Sequence, residues 1–234
     1  FPEYPSAETN RWLPWNPTVT VAVRRIIAPT PMFARQLEMA IPATNVPYGL
    51  DLMVADWVQP VGKGVTSDLV FSVEGFWKNY RNNDSTLTLT FAKPNDGLVP
   101  AGHDMLDRRP VGSVFIMPRQ APSDGYVDVW KWRRMRRQIP DAVQDEVIDE
   151  VNTEGRDYIF RIRSETNELG VVTNALFGKI RGNIEYVGAA GGAKGSWIRF
   201  TYYLNPALND RNLEFDPTKN LFTNLKSTER VTAP

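Results

Sequence analysis

The side chains with the greatest capacity for chemistry lie in one short stretch, VDVWKWRRMRRQIPDAVQDEVIDE, residues 127–150. Five cations fall within the seven positions 131–137, and Trp130 and Trp132 stand on either side of the first of them. Cations beside aromatic rings are typical of surfaces that follow phosphates and stack bases. However, Lys plus Arg and Asp plus Glu both total 27, so the formal net charge is zero. This balance argues against nucleic acid as a partner.

A run of acids follows these cations, and its pattern predicts a helix. Pro140 stands near the start, and Val143, Val147, Ile148 and Val151 are spaced for one apolar face. The plainest interpretation is a strand end and a covering helix in local charge balance. Two alternatives stay open, namely an interface with a protein partner or another subunit, and an aromatic surface that binds a glycan.

Catalytic chemistry has weak support in this sequence. The chain has no cysteine and one histidine, His103, which lies beside Asp104 in PAGHDMLDRR. A His–Asp pair can act as a general base, but no nucleophile elbow accompanies it. Paired carboxylates could support glycoside hydrolysis, yet a sequence gives no separation between them. We therefore predict no catalytic residue and no cofactor, with a carboxylate-based hydrolase as the least favoured alternative.

Side chains that could bind a hard cation are most numerous in the tail, NPALNDRNLEFDPTKNLFTNLK, which is rich in Asn and Asp oxygens. Its spacing does not match the calcium-loop pattern, and it has no glycine for the sharp turn. We predict no metal site. The oxygens fit turns and caps, while apolar residues such as Phe215 and Phe222 would dock the tail on the core or on a neighbouring chain.

The elements that position these residues are predicted to be mostly strands. Alternation of apolar and polar residues predicts a first strand in TVTVAVRRI, residues 18–26. It predicts eight more in YGLDLMVADWV, DLVFSVEGFW, STLTLTFA, VGSVFIM, GYVDVWKW, DYIFRIRS, VVTNALFGKIRGNIEYV and SWIRFTYYL. In DYIFRIRS, Arg161 and Arg163 would lie on the wet face. TPMFARQLEMA, residues 30–40, predicts a short helix, with Pro31 at its first position and Phe33, Leu37 and Ala40 on one face. The long strands on either side of AAGGAKG should form a hairpin, and residues 94–111 a long crossover loop.

The predicted fold is mainly β, an antiparallel, jelly-roll-like β-sandwich of about nine strands with one or two short helices. Residues 1–17 would form an extended arm rich in proline and tryptophan, residues 18–204 the sandwich, and residues 205–234 the docked tail. The composition and the first residue, Phe1, favour an exported protein from which a leader has been removed. No apolar run is long enough to span a membrane.

The sequence thus favours a non-catalytic exported protein that acts through surface contacts, in self-assembly or in binding another surface protein. The expected partner is a protein, with a homo-oligomer favoured. A module that binds glycans through exposed tryptophans is the alternative. The candidate partner-binding residues are Trp12, Trp15, Trp130, Trp132, Arg133, Arg134, Arg136, Arg137, Phe215 and Phe222.

Overall fold

A computed structural model describes residues 25–101, 117–140, 143–152, 157–187 and 195–232. In these residues the chain forms strands and no helix. The strands are β1 (Thr30–Ala40), β2 (Tyr48–Asp51), β3 (Asp56–Trp57), β4 (Leu69–Asn79), β5 (Asn82–Phe91), β6 (Gly97–Pro100), β7 (Val129–Arg137), β8 (Glu146–Val151), β9 (Tyr158–Thr166), β10 (Val172–Val187), β11 (Trp197–Asn205) and β12 (Phe215–Asn220).

The strands form two six-stranded sheets. The first sheet has the order β12-β1-β11-β10-β9-β6, and the second has the order β3-β2-β4-β5-β7-β8. Each sheet combines strands that precede residues 94–111 with strands that follow them. The long strands β10 and β11 pair antiparallel, with Val187 opposite Trp197, which confirms the predicted hairpin. Every other pair of strands is antiparallel except β12, which runs parallel to β1.

The main core lies between the two sheets. Leu87 and Leu89 of β5 and Phe71 of β4 are buried in one cluster with Phe160 of β9 and Tyr202 of β11. Alternate residues of these strands fill the core, as the period of two in their sequences predicts. The Tyr202 hydroxyl donates to the carbonyl of Leu52 at 2.6 Å, so the sheets are also joined by hydrogen bonding.

The first sheet is covered on its other face as well. Ile159 and Phe177, which alternate with core residues, pack against Ala121 and Leu213. Beside them, Tyr203 stacks edge to face on Phe215 of β12, with their ring centroids 5.1 Å apart. The C-terminal segment therefore packs against the same chain.

The predicted helix at residues 30–40 is wrong, because this segment is strand β1. Phe33 and Leu37 are four residues apart, a spacing that puts side chains on one face of a helix but also on one face of a strand. Met32 and Ala34 are buried on the opposite face, under the C-terminal segment. Since β1 is covered on both faces, its apolar residues do not show the simple alternation of a half-exposed strand.

The predicted helix after Pro140 is wrong for the same reason. Val143, Val147 and Val151 are also separated by multiples of four, and residues 146–151 form strand β8. The acids pair across to β7, with Arg133 opposite Glu150 and Arg137 opposite Glu146. Cross-strand pairs of opposite charge stabilise such a ladder.

Other predictions fall wholly or partly outside the described residues. Arg25 and Ile26 of the predicted first strand are described and are not in a strand, while residues 18–24 lie outside. The arm at residues 1–17, His103 and most of the predicted strand VGSVFIM at residues 111–117 also lie outside the described residues. Within the predicted crossover loop at 94–111, residues 97–100 form β6, which pairs with β9.

Candidate interaction surface

The cations of residues 131–137 lie on both faces of strand β7. Trp130 and Trp132 stand opposite Leu89 and Leu87, which are buried in the core. The even-numbered side chains of β7 therefore face the first sheet. Arg134 and Arg136 continue that parity toward the end of the strand. The remaining cations, Lys131, Arg133 and Arg137, therefore point to the outer face of the second sheet.

The outer face combines ion pairs with apolar side chains. Arg133 Nη2 lies 2.8 Å from Asp84 of β5, and Arg137 Nη1 lies 3.6 Å from Glu146 of β8. Between these arginines, Met135 stands opposite Ile148 of β8 and is only 5% exposed. The pairs hold the guanidinium groups in place, but exposed ion pairs add little to stability because water and salt screen them.

The inward-facing arginines are held by aromatic rings and by the backbone. Arg134 Nη1 donates to the carbonyl of Tyr186 in the first sheet at 3.0 Å, and its guanidinium lies 5.3 Å from the centroid of the Trp132 ring. The Trp132 indole donates a hydrogen bond to the Asp149 carboxylate. Arg136 stacks over Tyr80 at 4.2 Å. These contacts limit the conformations that the cations can adopt.

This end of the second sheet extends beyond the main core. Strand β4 alternates between buried and half-buried residues as far as Val73, after which residues 74–76 are all exposed. Phe76, opposite Asp84, is 55% exposed, and Tyr80, in the turn between β4 and β5, is 66% exposed. We call residues 74–84, 133–137 and 145–150 the projecting end of the second sheet.

The remaining predicted partner-binding aromatics are placed differently. Trp130 is buried and its indole donates to the Tyr158 hydroxyl at 3.3 Å, so it belongs to the core. Phe215 is buried against Tyr203. Phe222 is half-buried, and its ring lies 5.1 Å from that of Phe33. Trp12 and Trp15 lie outside the described residues.

The tryptophans offer little exposed surface for stacking a sugar. Of the five in the described residues, Trp57 and Trp130 are buried, whereas Trp77, Trp132 and Trp197 are half-buried. Trp197 also has the Arg199 guanidinium over its ring at 5.5 Å. The most exposed rings of the described residues are instead those of Phe76 and Tyr80 at the projecting end.

A second group of charges, which the sequence did not reveal, joins the two sheets. Arg163 of β9 donates from Nε to Asp68 at 2.7 Å and from Nη2 to Asp68 and Asp51 at 3.0 and 3.2 Å. Asp68 is fully buried and Asp51 is 3% exposed. We call these three residues the buried ion cluster. Asp51 and Asp68 are 95 or more positions from Arg163 in the chain, so no local sequence signal connects them.

The carboxylates of the buried ion cluster are saturated with hydrogen bonds. Asp51 accepts from the N–H groups of Met53, Val54, Val65 and Thr66, and Asp68 accepts from that of Leu52 at 2.9 Å. Burial by itself raises the pKa of Asp51, but the four backbone N–H groups together lower it. Burial raises the pKa of Asp68, and the bonds from Arg163 offset only part of that effect.

A distortion of strand β9 places the Arg163 side chain. Arg163 has a φ of 55°, which is uncommon for a residue with a side chain, and the pairing of β9 with β10 shifts at this point. Asp96 accepts from the N–H groups of Arg163 and Ser164, at 3.0 and 2.8 Å. Asp96 thus satisfies the backbone N–H groups of the bulge, and the Arg163 guanidinium crosses to the second sheet.

In the described residues, neither charged region provides a metal-binding group of side chains. No group of three or more His, Cys, Asp or Glu side chains there could hold a metal ion. The two carboxylates of the buried ion cluster are occupied by Arg163 and by backbone donors, so neither can reach a substrate. In the same part of the chain, no helix is long and apolar enough to cross a membrane.

Comparisons with protein families, with curated proteins and with solved structures find no match to this chain. Function must therefore be argued from the residues described above.

Proposed function

We propose that this protein is non-catalytic and exported, and that it acts through protein contacts made by a jelly-roll-like β-sandwich. Its contacts either assemble copies of the chain or bind another surface protein. The observation that carries the proposal is the projecting end of the second sheet, where oriented arginines adjoin exposed aromatic rings. The sandwich is supported by the core that the two sheets share.

The composition of the projecting end is that of a protein interface. Arginine, methionine and aromatic residues are enriched where proteins meet. Here Arg133 and Arg137 are exposed on the outer face, and the rings of Phe76 and Tyr80 are more than half exposed, whereas Met135 is buried and adds no contact surface. Because the arginines already bond to acids or rings of their own chain, they lose little conformational freedom when a partner binds. Charge of both signs would fix the orientation of that partner.

The test is charge reversal on the outer face, by Arg133→Glu together with Arg137→Glu. We expect the wild-type chain to associate in sedimentation equilibrium, and to associate less at high salt. The variant should associate about tenfold more weakly, because the introduced glutamates repel the acids at the contact. The matched control is Lys63→Glu with Lys226→Glu, which reverses two exposed cations outside the projecting end. The control should associate like the wild type.

Two outcomes would count against this proposal. Equal association of wild type, variant and control would exclude the projecting end as the contact surface. A chain that stays monomeric at every concentration would exclude self-assembly and leave only the contact with another surface protein. Circular dichroism of each variant shows that a loss of association is not a loss of fold.

The alternatives have weaker support. A glycan-binding module would need exposed tryptophans, and those of the described residues are buried or half-buried. A carboxylate-based hydrolase would need two acids open to a substrate, whereas Asp51 and Asp68 are held by Arg163. Retardation on polysaccharide affinity gels, lost on Tyr80→Ala, would favour the glycan-binding module over the proposal.

A further inference from the structure

Within the described parts of the chain, strand β8 is the most open edge of the two sheets. Of the four edge strands in the described residues, β3 has only two residues, β6 ends in Pro100 and β12 contains Pro217. Strand β8 has six residues and no proline. Its outer side therefore presents backbone N–H and C=O groups to which a further strand can bond. Val147 on this strand is 56% exposed.

The charges of β8 restrict which strand can pair with it. The sequence EVIDEV contains three acids, Glu146, Asp149 and Glu150, and no cation. Arg137 and Arg134 of β7 lie beside Glu146 and Asp149 on the inner side of the strand. Two β8 edges would still bring the acids of one against those of the other, and like charges on facing strands are unfavourable. Acids on an edge strand thus oppose pairing with a second β8 and favour a basic strand.

The chain contains a basic segment with the pattern of a strand. In TVTVAVRR, residues 18–25, Val19, Val21 and Val23 alternate with small or polar residues, and Arg24 and Arg25 follow without any acid. Its period of two matches the pleat of a strand with one apolar face. Its apolar face would cover Val147, and its arginines would meet the acids of β8.

The position of Arg25 excludes pairing with β8 of the same chain. Its carbonyl accepts from Arg119 Nη2 at 2.9 Å, and the N–H groups of Ile27 and Ala28 donate to Glu214 just before β12. This anchor lies by β12 and β1 of the first sheet.

Strand β8 lies at the opposite lateral side of the molecule. Trp57 of β3 donates to the carbonyl of Ala40 in β1, and Trp130 of β7 donates to Tyr158 of β9, so both sheet orders run in the same direction. Crossing six strands takes about 24 Å, which is the full reach of seven extended residues. The seven positions that separate Thr18 from Arg25 are therefore too few to span the domain and also supply a strand along its β8.

We propose that residues 18–25 of one copy add as a strand to the β8 edge of a second copy. This inference rests on the proposed function and names the partner as another copy of the same chain. Because the donor segment and the acceptor edge lie at opposite sides, the contact is head to tail. Contacts of this kind close into rings or continue as open chains of subunits, rather than forming a two-fold dimer.

The absence of cysteine from the sequence makes disulfide trapping a direct test. Paired strands hold Cα atoms about 4.5–5.5 Å apart, which suits a disulfide. One full-length chain carries a single cysteine in place of Val19, Val21 or Val23, and the other carries Val147→Cys. The matched control acceptor is Val171→Cys, because this valine is 58% exposed in the turn before β10. The mixed chains are oxidised and the linked dimer is measured.

We expect at least one donor position to give about tenfold more linked dimer with Val147→Cys than with Val171→Cys, since pairing raises the effective thiol concentration. Reversing Arg24 and Arg25 to Glu in the donor should remove that excess. Equal yields from chains that do associate in sedimentation would overturn this inference and leave the proposed function standing. Monomeric chains without cross-links would overturn this inference and exclude self-assembly, leaving only the contact with another surface protein. A link within one chain that carries both cysteines would show that residues 18–25 pair with β8 of their own chain, and would also overturn this inference.

Discussion

Two regions of the molecule use the same chemical groups, guanidinium and carboxylate, under opposite conditions of burial. In the buried ion cluster, Arg163 meets a carboxylate that has no exposed surface, and the bonds that Arg163 donates cross between the sheets. At the projecting end, Arg133 and Arg137 keep about half of their side-chain surface in contact with water.

Burial decides what each arrangement contributes. Removing one partner of a buried pair leaves a desolvated charge without compensation, whereas an exposed charge that loses its partner is solvated again. The buried ion cluster therefore determines how the two sheets fit together. The ladder at the projecting end contributes little to folding and stays available for orienting a partner.

The largest expected effect follows from Asp68→Ala. The substitution removes the fully buried carboxylate that accepts two bonds from Arg163, so we expect a loss of about 3 kcal/mol in the free energy of unfolding. Urea denaturation measures it. The matched control is Asp84→Ala, which removes the surface partner of Arg133 and should shift the midpoint far less. Similar shifts in the two variants would show that burial does not distinguish these regions.

A smaller effect is expected at Lys179, a buried cation that lies over an aromatic ring. Its ammonium lies 4.7 Å from the centroid of the Tyr203 ring, and burial lowers its pKa to about 8 from a usual 10.5. Lys179→Met should raise the free energy of unfolding at pH 7 by about 2 kcal/mol, because the buried charge is removed. The control Lys226→Met replaces an exposed lysine and should change little.

The pH dependence sharpens the prediction for Lys179. Between pH 8 and pH 10.5 the unfolded chain keeps the proton that the folded chain has already lost, so the stability of the wild type should rise with pH across this range. Lys179→Met should abolish that part of the rise. Denaturant titrations at a series of pH values measure it, and a rise of the same size in the variant would contradict the assigned pKa.

The smallest effect on folding is expected from neutralising the exposed ladder with Arg133→Gln and Arg137→Gln. Because these guanidinium groups are solvated in the folded chain, the urea midpoint should stay close to that of the wild type. Association in sedimentation equilibrium should nevertheless weaken. A large fall in stability with unchanged association would reverse the roles assigned to the two charged regions.

The sequence by itself determined the β class, most strands and the exposed charges. Alternation located β4, β5, β9, β10 and β11, because each of these strands has one side in a common core. It also identified the cations of residues 131–137, since five in seven positions can hardly be buried. It misassigned β1 and β8, because an apolar spacing of four fits a helix and a strand equally well.

Only the tertiary structure decided which charges are buried together and which aromatics are exposed. Trp130 and Trp132 lie on the same face of the same strand, yet Trp130 is buried beside Tyr158 and Trp132 is half-buried. Arg163 looked like a residue of the wet face of its strand, until a bulge turned it toward Asp51 and Asp68. Such contacts join residues about a hundred positions apart, and local patterns carry no information about them.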